Sequence, residues 1–142
     1  EIFGRVMGCY QESVMSALIT AMDSTPDIRE GIRRLLNGAL DIHFDTENPG
    51  GCLMVLSVLE SSQHDTRTQD SMAQAIHDLK DLLQARLTKA KRAGELSKGL
   101  DTGSTANTIA TTMAGMMVMG KANFTRAALK KTVNQVVSLL DK

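Results

Sequence analysis

Apolar residues recur at three- and four-residue steps along almost the whole chain, and no stretch alternates them with polar ones as a half-buried strand would. That spacing lays side chains along one stripe of a helix, so each segment must cover its stripe with another helix. Ile2, Val6, Met7, Tyr10, Val14, Leu18, Ala21 and Met22 mark a first helix of about five to six turns. Ile28, Ile32, Leu35, Leu36, Ala39, Leu40 and His43 mark a second, with Thr25 as its expected N-cap and Pro26 at its first position. Met72, Ile76, Leu79, Leu83, Leu87 and Ala90 stripe a long helix that Gly94 should stop. "GELSKGLDTGS" reads as a connector anchored by Leu96 and Leu100. A further helix is expected from near Thr105, and a last one after Thr125 carries Leu129, Val133, Val136, Val137 and Leu140.

Residues 49 to 61, "PGGCLMVLSVLES", break the pattern, because from Cys52 to Leu59 only Ser57 is polar. The run length and its valines suit a strand, but a single strand has no partner for its backbone groups in a helical chain. A short helix that is apolar on nearly every face and enclosed by the others fits better. Cys52 is then a small packing residue, with no base or cation beside it to activate the thiol. The expected fold is all-α, a six-helix bundle forming one domain over residues 1–142.

The composition narrows the function. A chain of 142 residues can bury roughly two-thirds of its unfolded surface without disulfides or metals. Lys plus Arg and Asp plus Glu number 16 each, so nothing pulls the chain as a whole toward nucleic acid or an acidic membrane. Trp is absent and aromatics make up 3%, which disfavours stacking platforms for single strands. Cys9 and Cys52 stand apart in apolar context, so a disulfide framework is not expected and a reducing cytoplasm is. No segment reads as a membrane span or a signal peptide. The chain opens on "EIFGRV", without Met and already helical in pattern, as a piece of a longer product would.

Chemistry-bearing residues are sparse. His43, His64 and His77 have no metal-ligand spacing, and no metal or cofactor is expected. His43 closes a helix, where the dipole favours its charged form. Met113, Met116, Met117 and Met119 crowd four thioethers together, as a copper(I) site would. The same spacing is what a core stripe or an adaptable pocket wall requires, and that use is favoured. No GxSxG, phosphate-binding loop or paired carboxylates occur, so an enzyme is disfavoured. In the last helix Leu129, Val133, Val136 and Leu140 follow a two-heptad seam that can serve its own core, a second subunit, or both.

These segments also carry a resemblance. "GGCLMVLSVLES", then "HDTRTQDSMAQAIHDLKDLLQARLTKAKRAGEL", then "DTGSTANTIATTMAGMMVMGKAN" resemble the C-terminal regulatory domain of TetR-type bacterial transcriptional repressors. The matching marks are Gly51-Cys52-Leu53, Ala93-Gly94-Glu95-Leu96, and Asp101 through Ala106 with Gly115 and Gly120 beyond. "EIFGRVMGCYQESV" looks like the helix that leaves the family's DNA-binding head, and that helix-turn-helix head is missing from the 142 residues.

The resemblance implies a cytoplasmic homodimer that binds a small apolar effector and touches DNA only through the missing head. Pocket positions, from family location and stripe position together, would be Tyr10, Val14, Leu36, Leu40, Leu56, Ile76, Leu79, Met113 and Met117, with Tyr10 as a polar handle. The last two helices would meet their copies through Gly115, Met119, Leu129, Val133, Val136 and Leu140. A helical protein-interaction module without ligand sensing is the alternative, with the Met-rich helix as its groove.

Overall fold

The computed structural model describes residues 14–44 and 66–141. Five helices lie in these stretches: α1 over residues 14–23, α2 Ile28–His43, α3 Thr66–Arg92, α4 Thr102–Lys121 and α5 Arg126–Ser138. No strand occurs among the described residues. The expected short helix within "PGGCLMVLSVLES" lies outside them, as do Cys9, Tyr10, Cys52, Leu56 and His64.

The helix boundaries follow from local chemistry. Asp27, rather than Thr25, caps α2: its carboxylate accepts from the Arg29 backbone N–H at 2.9 Å, and helical geometry begins only at Ile28. Thr25 supports the turn before it, its hydroxyl accepting from the Asp27 N–H at 3.3 Å. A carboxylate is the stronger partner for free N–H groups at a helix's positive end, so the cap moves past Pro26. At the other end of the chain, Thr125 caps α5 by accepting from the Ala128 N–H at 3.1 Å.

Helix α3 stops where Gly94 adopts a φ of 82°. The Glu95 N–H returns to the Ala90 carbonyl at 3.0 Å and the Gly94 N–H to Lys91 at 3.1 Å, the paired bonds of a Schellman turn. That turn drops Leu96 into the core. Helix α4 then begins three residues earlier than its apolar pattern suggests. Asp101 accepts from both the N–H and the hydroxyl of Ser104 at 3.0 Å. These bonds, the backbone one foremost, hold its carboxyl below the ordinary value.

α3 packs along α4, while α2 packs against α5 and α4. Arg29, at the start of α2, donates to the carbonyls of Glu95 at 3.1 Å and of Leu140, just past α5, at 2.8 Å. Asp41, near the end of α2, pairs with Arg126 at the start of α5. The two helices therefore run antiparallel. Ile32, Leu35, Leu36 and Leu40 of α2 are fully enclosed, together with Leu83 and Leu87 of α3, Ile109 of α4 and Val133 of α5. Each such side chain contributes about 1.5–3 kcal/mol of transfer free energy, an upper figure for real unfolded chains.

α1 approaches α2 closely through glycine. A Cβ on Gly31 would stand 2.7 Å from the Met22 carbonyl oxygen, and one on Gly38 would stand 2.9 Å from Leu18 Cδ2. The first contact is with backbone and cannot give; the second is with a side-chain tip that can. Near the same end, Arg86 of α3 forks both oxygens of Asp23 at 2.9 and 3.0 Å, and Arg34 donates to the Ser24 hydroxyl at 2.7 Å. The C-terminal end of α1 is bolted down from two sides.

Candidate functional site

Four helices leave a cavity of about 40 Å³ between them. α1 contributes Val14, Met15 and Leu18; α2 contributes Ala39 and Ile42; α3 contributes Ile76 and Leu79. Ala110, Met113, Ala114 and Met117 of α4 form the remaining wall. Every lining side chain is aliphatic or a thioether. Ala110 and Ala114 make the room, since a larger residue at either position would fill it. Met113 and Met117 are what can rearrange, being unbranched and polarizable.

The structure thus gathers Val14, Ile76, Leu79, Met113 and Met117 around one space. Leu36 and Leu40 do not border it. They sit on the face of α2 that the other helices cover completely. Met15, Leu18, Ala39, Ile42, Ala110 and Ala114 border it without having been singled out. Leu18 and Ala39 already stood in the stripes of the first two helices. Nothing in the sequence distinguishes Ile42 from a core residue of α2.

The seam expected to meet a second subunit is occupied within the chain. Leu129, Val133, Val136 and Leu140 are all buried among the chain's own helices and belong to its core. A side chain already out of water has little apolar area left to offer a copy. Gly115 and Met119 are placed differently, on the outer side of α4. No atom lies within 4 Å of where a Gly115 Cβ would be, and Met119 is 39% exposed.

The whole outer side of α4 shares a property. From Thr102 to Gly120 the helix has no charged residue, and Asn107, Thr108, Thr111, Val118 and Met119 face out. The Thr108 and Thr112 hydroxyls fold back onto the carbonyls of Ser104 and Thr108 at 2.9 and 2.7 Å. Their methyl groups are what remains to present. Phe124 follows at the end of the helix, 43% exposed.

Among the described residues, one titratable group is buried. His43 is 9% exposed and lies in the apolar face of α2, against Gly120 of α4 and edge-on to Phe44, with ring centroids 4.8 Å apart. Burial, with the positive charge of Lys121 adding to it, lowers its pKa, although a hydrogen bond to the Gly120 backbone acts the other way. Position at a helix end predicts a stabilised imidazolium, but burial outweighs that and the pKa falls. Among the described residues, no group of three or more His, Cys, Asp or Glu could hold a metal ion. No described helix is long and apolar enough to cross a membrane.

The described residues thus form a layered helical domain with an apolar cavity beside an uncharged outer helix face. The family model described as tetracyclin repressor-like, C-terminal domain, matches residues 29–136. The chain belongs to that family, which makes it the C-terminal domain of a TetR-family transcriptional regulator and not an enzyme. Among solved structures it is similar to a cysteine mutant of the TetR family transcriptional regulator CifR complexed with 26-base-pair double-strand operator DNA. That likeness has a TM-score of 0.83 at 24% identity and covers 95% of this chain and 70% of that one, which establishes a shared fold. No curated protein sequence matches.

Proposed function

We propose that this domain senses a small apolar effector in the cavity between α1 and α4, and that it works as a homodimer in the cytoplasm. Effector binding would lower the DNA affinity of the longer regulator to which the domain belongs. The observation that carries the reading is the cavity itself: lined only by apolar side chains, and walled by α1 on one side and the methionines of α4 on the other.

Ligand pockets usually enclose roughly 300–1,000 Å³, so a guest of that size must open the cavity. Opening has an anisotropy built in. Met22, Asp23 and Ser24 are held by Gly31, Arg86 and Arg34, whereas Val14 and Met15, at the other end of α1, rest on the cavity. An effector therefore displaces the N-terminal end of α1 about a held C-terminal end. By resemblance that helix leads back to the DNA-binding head. Two heads must stand about one DNA turn, roughly 34 Å, apart to enter successive major grooves. A hundredfold preference of the effector for the open shape would supply about 2.7 kcal/mol of coupling.

The dimer would form on the outer face of α4. Gly115 supports this, since a glycine inside a helix costs about 1 kcal/mol relative to alanine and no contact within the chain requires it. Close approach of a second copy would. Met113→Trp tests the pocket: it should fill the cavity and abolish the response of a reporter to inducing compounds while leaving the dimer intact by light scattering. Unchanged induction would remove the cavity from the mechanism.

A further inference from the structure

Three of the side chains around the cavity are methionines that packing alone does not require. Met15 borders it from α1, and Met113 and Met117, about one turn apart, border it from α4. Leucine fills such positions with nearly the same volume. It also loses less rotamer freedom on burial than an unbranched side chain with more rotatable bonds. A thioether has two properties that leucine lacks: it rearranges easily around a guest, and its polarizable sulfur attracts the edge of an aromatic ring. The first serves any guest. The second serves only an aromatic one.

Within the cavity that attraction is unused. Phe44 and Phe124, the phenylalanines among the described residues, both stand outside the lining. The remaining lining side chains are alanine, valine, isoleucine and leucine, so the cavity's own wall offers the sulfurs no ring. Ala110 and Ala114 alternate with the two methionines along α4 and leave low ground between them. A flat ring lies against that ground with less opening of the helices than a puckered one. The lining has no charged or hydrogen-bonding side chain, so an ionic guest would lose its water with nothing to replace it.

We infer that the effector presents a neutral aromatic ring, seated between Met15 of α1 and the Met113–Met117 pair of α4. The inference rests on the effector reading above and narrows its ligand class from apolar to aromatic.

Benzene and cyclohexane, titrated separately into the chain, are the probes, being neutral rings of equal carbon number. The informative quantity is the ratio of their dissociation constants, compared between the unaltered chain and the double variant Met113→Leu with Met117→Leu. That comparison cancels the difference in hydrophobicity between the two probes. The variant should bind cyclohexane within about twofold of the original and benzene about tenfold more weakly. In the unaltered chain the methyl resonances of Met15, Met113 and Met117 should shift with benzene, through its ring current. If the double variant does not fold, Met15→Leu, at a half-buried position, takes its place, with an expected loss of about threefold for benzene alone. A ratio unchanged by removing the thioethers, or binding of cyclohexane alone, overturns the proposal and leaves the cavity as an effector site. Benzene bound with these methyl groups unmoved, or neither ring bound, overturns both.

Discussion

At the scale of single residues, the glycines of this domain have different meanings that their one-letter code does not show. Gly120 gives room to a histidine ring, and Gly120→Ala should destabilise the chain by about 1–3 kcal/mol, as overpacking does, seen as a lower thermal midpoint. His43 makes a separate prediction. Its folded pKa lies below the unfolded value of about 6.5, so the unfolded chain takes up the proton first as pH falls. Stability should therefore be unaffected by this group above about pH 7 and decline below about pH 6.5, by at most about 1.4 kcal/mol per pH unit. Urea midpoints at pH 7 and pH 5.5, for the chain and for His43→Leu, check this; equal declines in both would assign the effect elsewhere. The sequence showed His43 at the end of an apolar stripe, and that position pointed to the dipole. Only the three-dimensional approach of Gly120, 77 positions along the chain, shows the burial that lowers its pKa rather than raising it.

At the scale of helices, the reading from sequence was strongest where one signal sufficed. Gly94 ended α3 and Thr125 capped α5, because each cap is a local bond between near neighbours. It slipped where two candidates competed: Thr25 and Asp27 both precede an apolar run, and the carboxylate wins. α4 began early because Asp101 sits before threonines and serines that carry no apolar period, so periodicity could not see its first turn. The Asp23–Arg86 fork was beyond reach, since nothing local ties the end of α1 to the middle of α3. Its Arg86 hydrogen bond holds the Asp23 carboxyl below the ordinary value. The pair is half-exposed, so a double-mutant cycle with Asp23→Asn and Arg86→Gln should return about 0.2–1 kcal/mol at neutral pH. That coupling should fade as pH falls through the carboxylate range, because the proton that Asp23 gains removes the charge Arg86 binds. A zero coupling would mean that Gly31 and the Arg34–Ser24 hydrogen bond hold the end of α1 without the fork.

At the scale of the whole molecule, the all-α architecture and the family were legible because they rest on order and spacing over the full chain. Which face each helix turns outward was not. The seam on α5 has the spacing of a dimer contact and is used for the core, since α2 needs a cover for its own apolar stripe. Gly115 separates the two uses experimentally. With open space around it, Gly115→Ala should raise the stability of the isolated protomer by up to about 1 kcal/mol, through helix propensity and reduced unfolded-state freedom. The same change should weaken the proposed dimer, read as a rise in its dissociation constant by sedimentation. A variant that is more stable and equally dimeric would place the interface elsewhere. Met119→Glu should dissociate the dimer at neutral pH while leaving the thermal midpoint of the protomer within about 0.5 kcal/mol of the original, as surface changes do.

The hydrogen bond from Arg29 to the carbonyl of Leu140 joins positions 111 residues apart. It belongs to an α2–α5 pairing that closes most of the chain into one loop. On a ribosome, α2 is made well before α5, so the apolar face of α2 waits uncovered while the helices between them are made. The α3–α4 pair, joined by a short connector, can form in the meantime from local contacts. Substitutions in α2 and α5 should therefore act mainly on how fast the finished domain comes apart, and those between α3 and α4 on how fast it forms. If two copies meet as proposed, the closing of α5 onto α2 is then the step that sets the earliest moment at which they can do so.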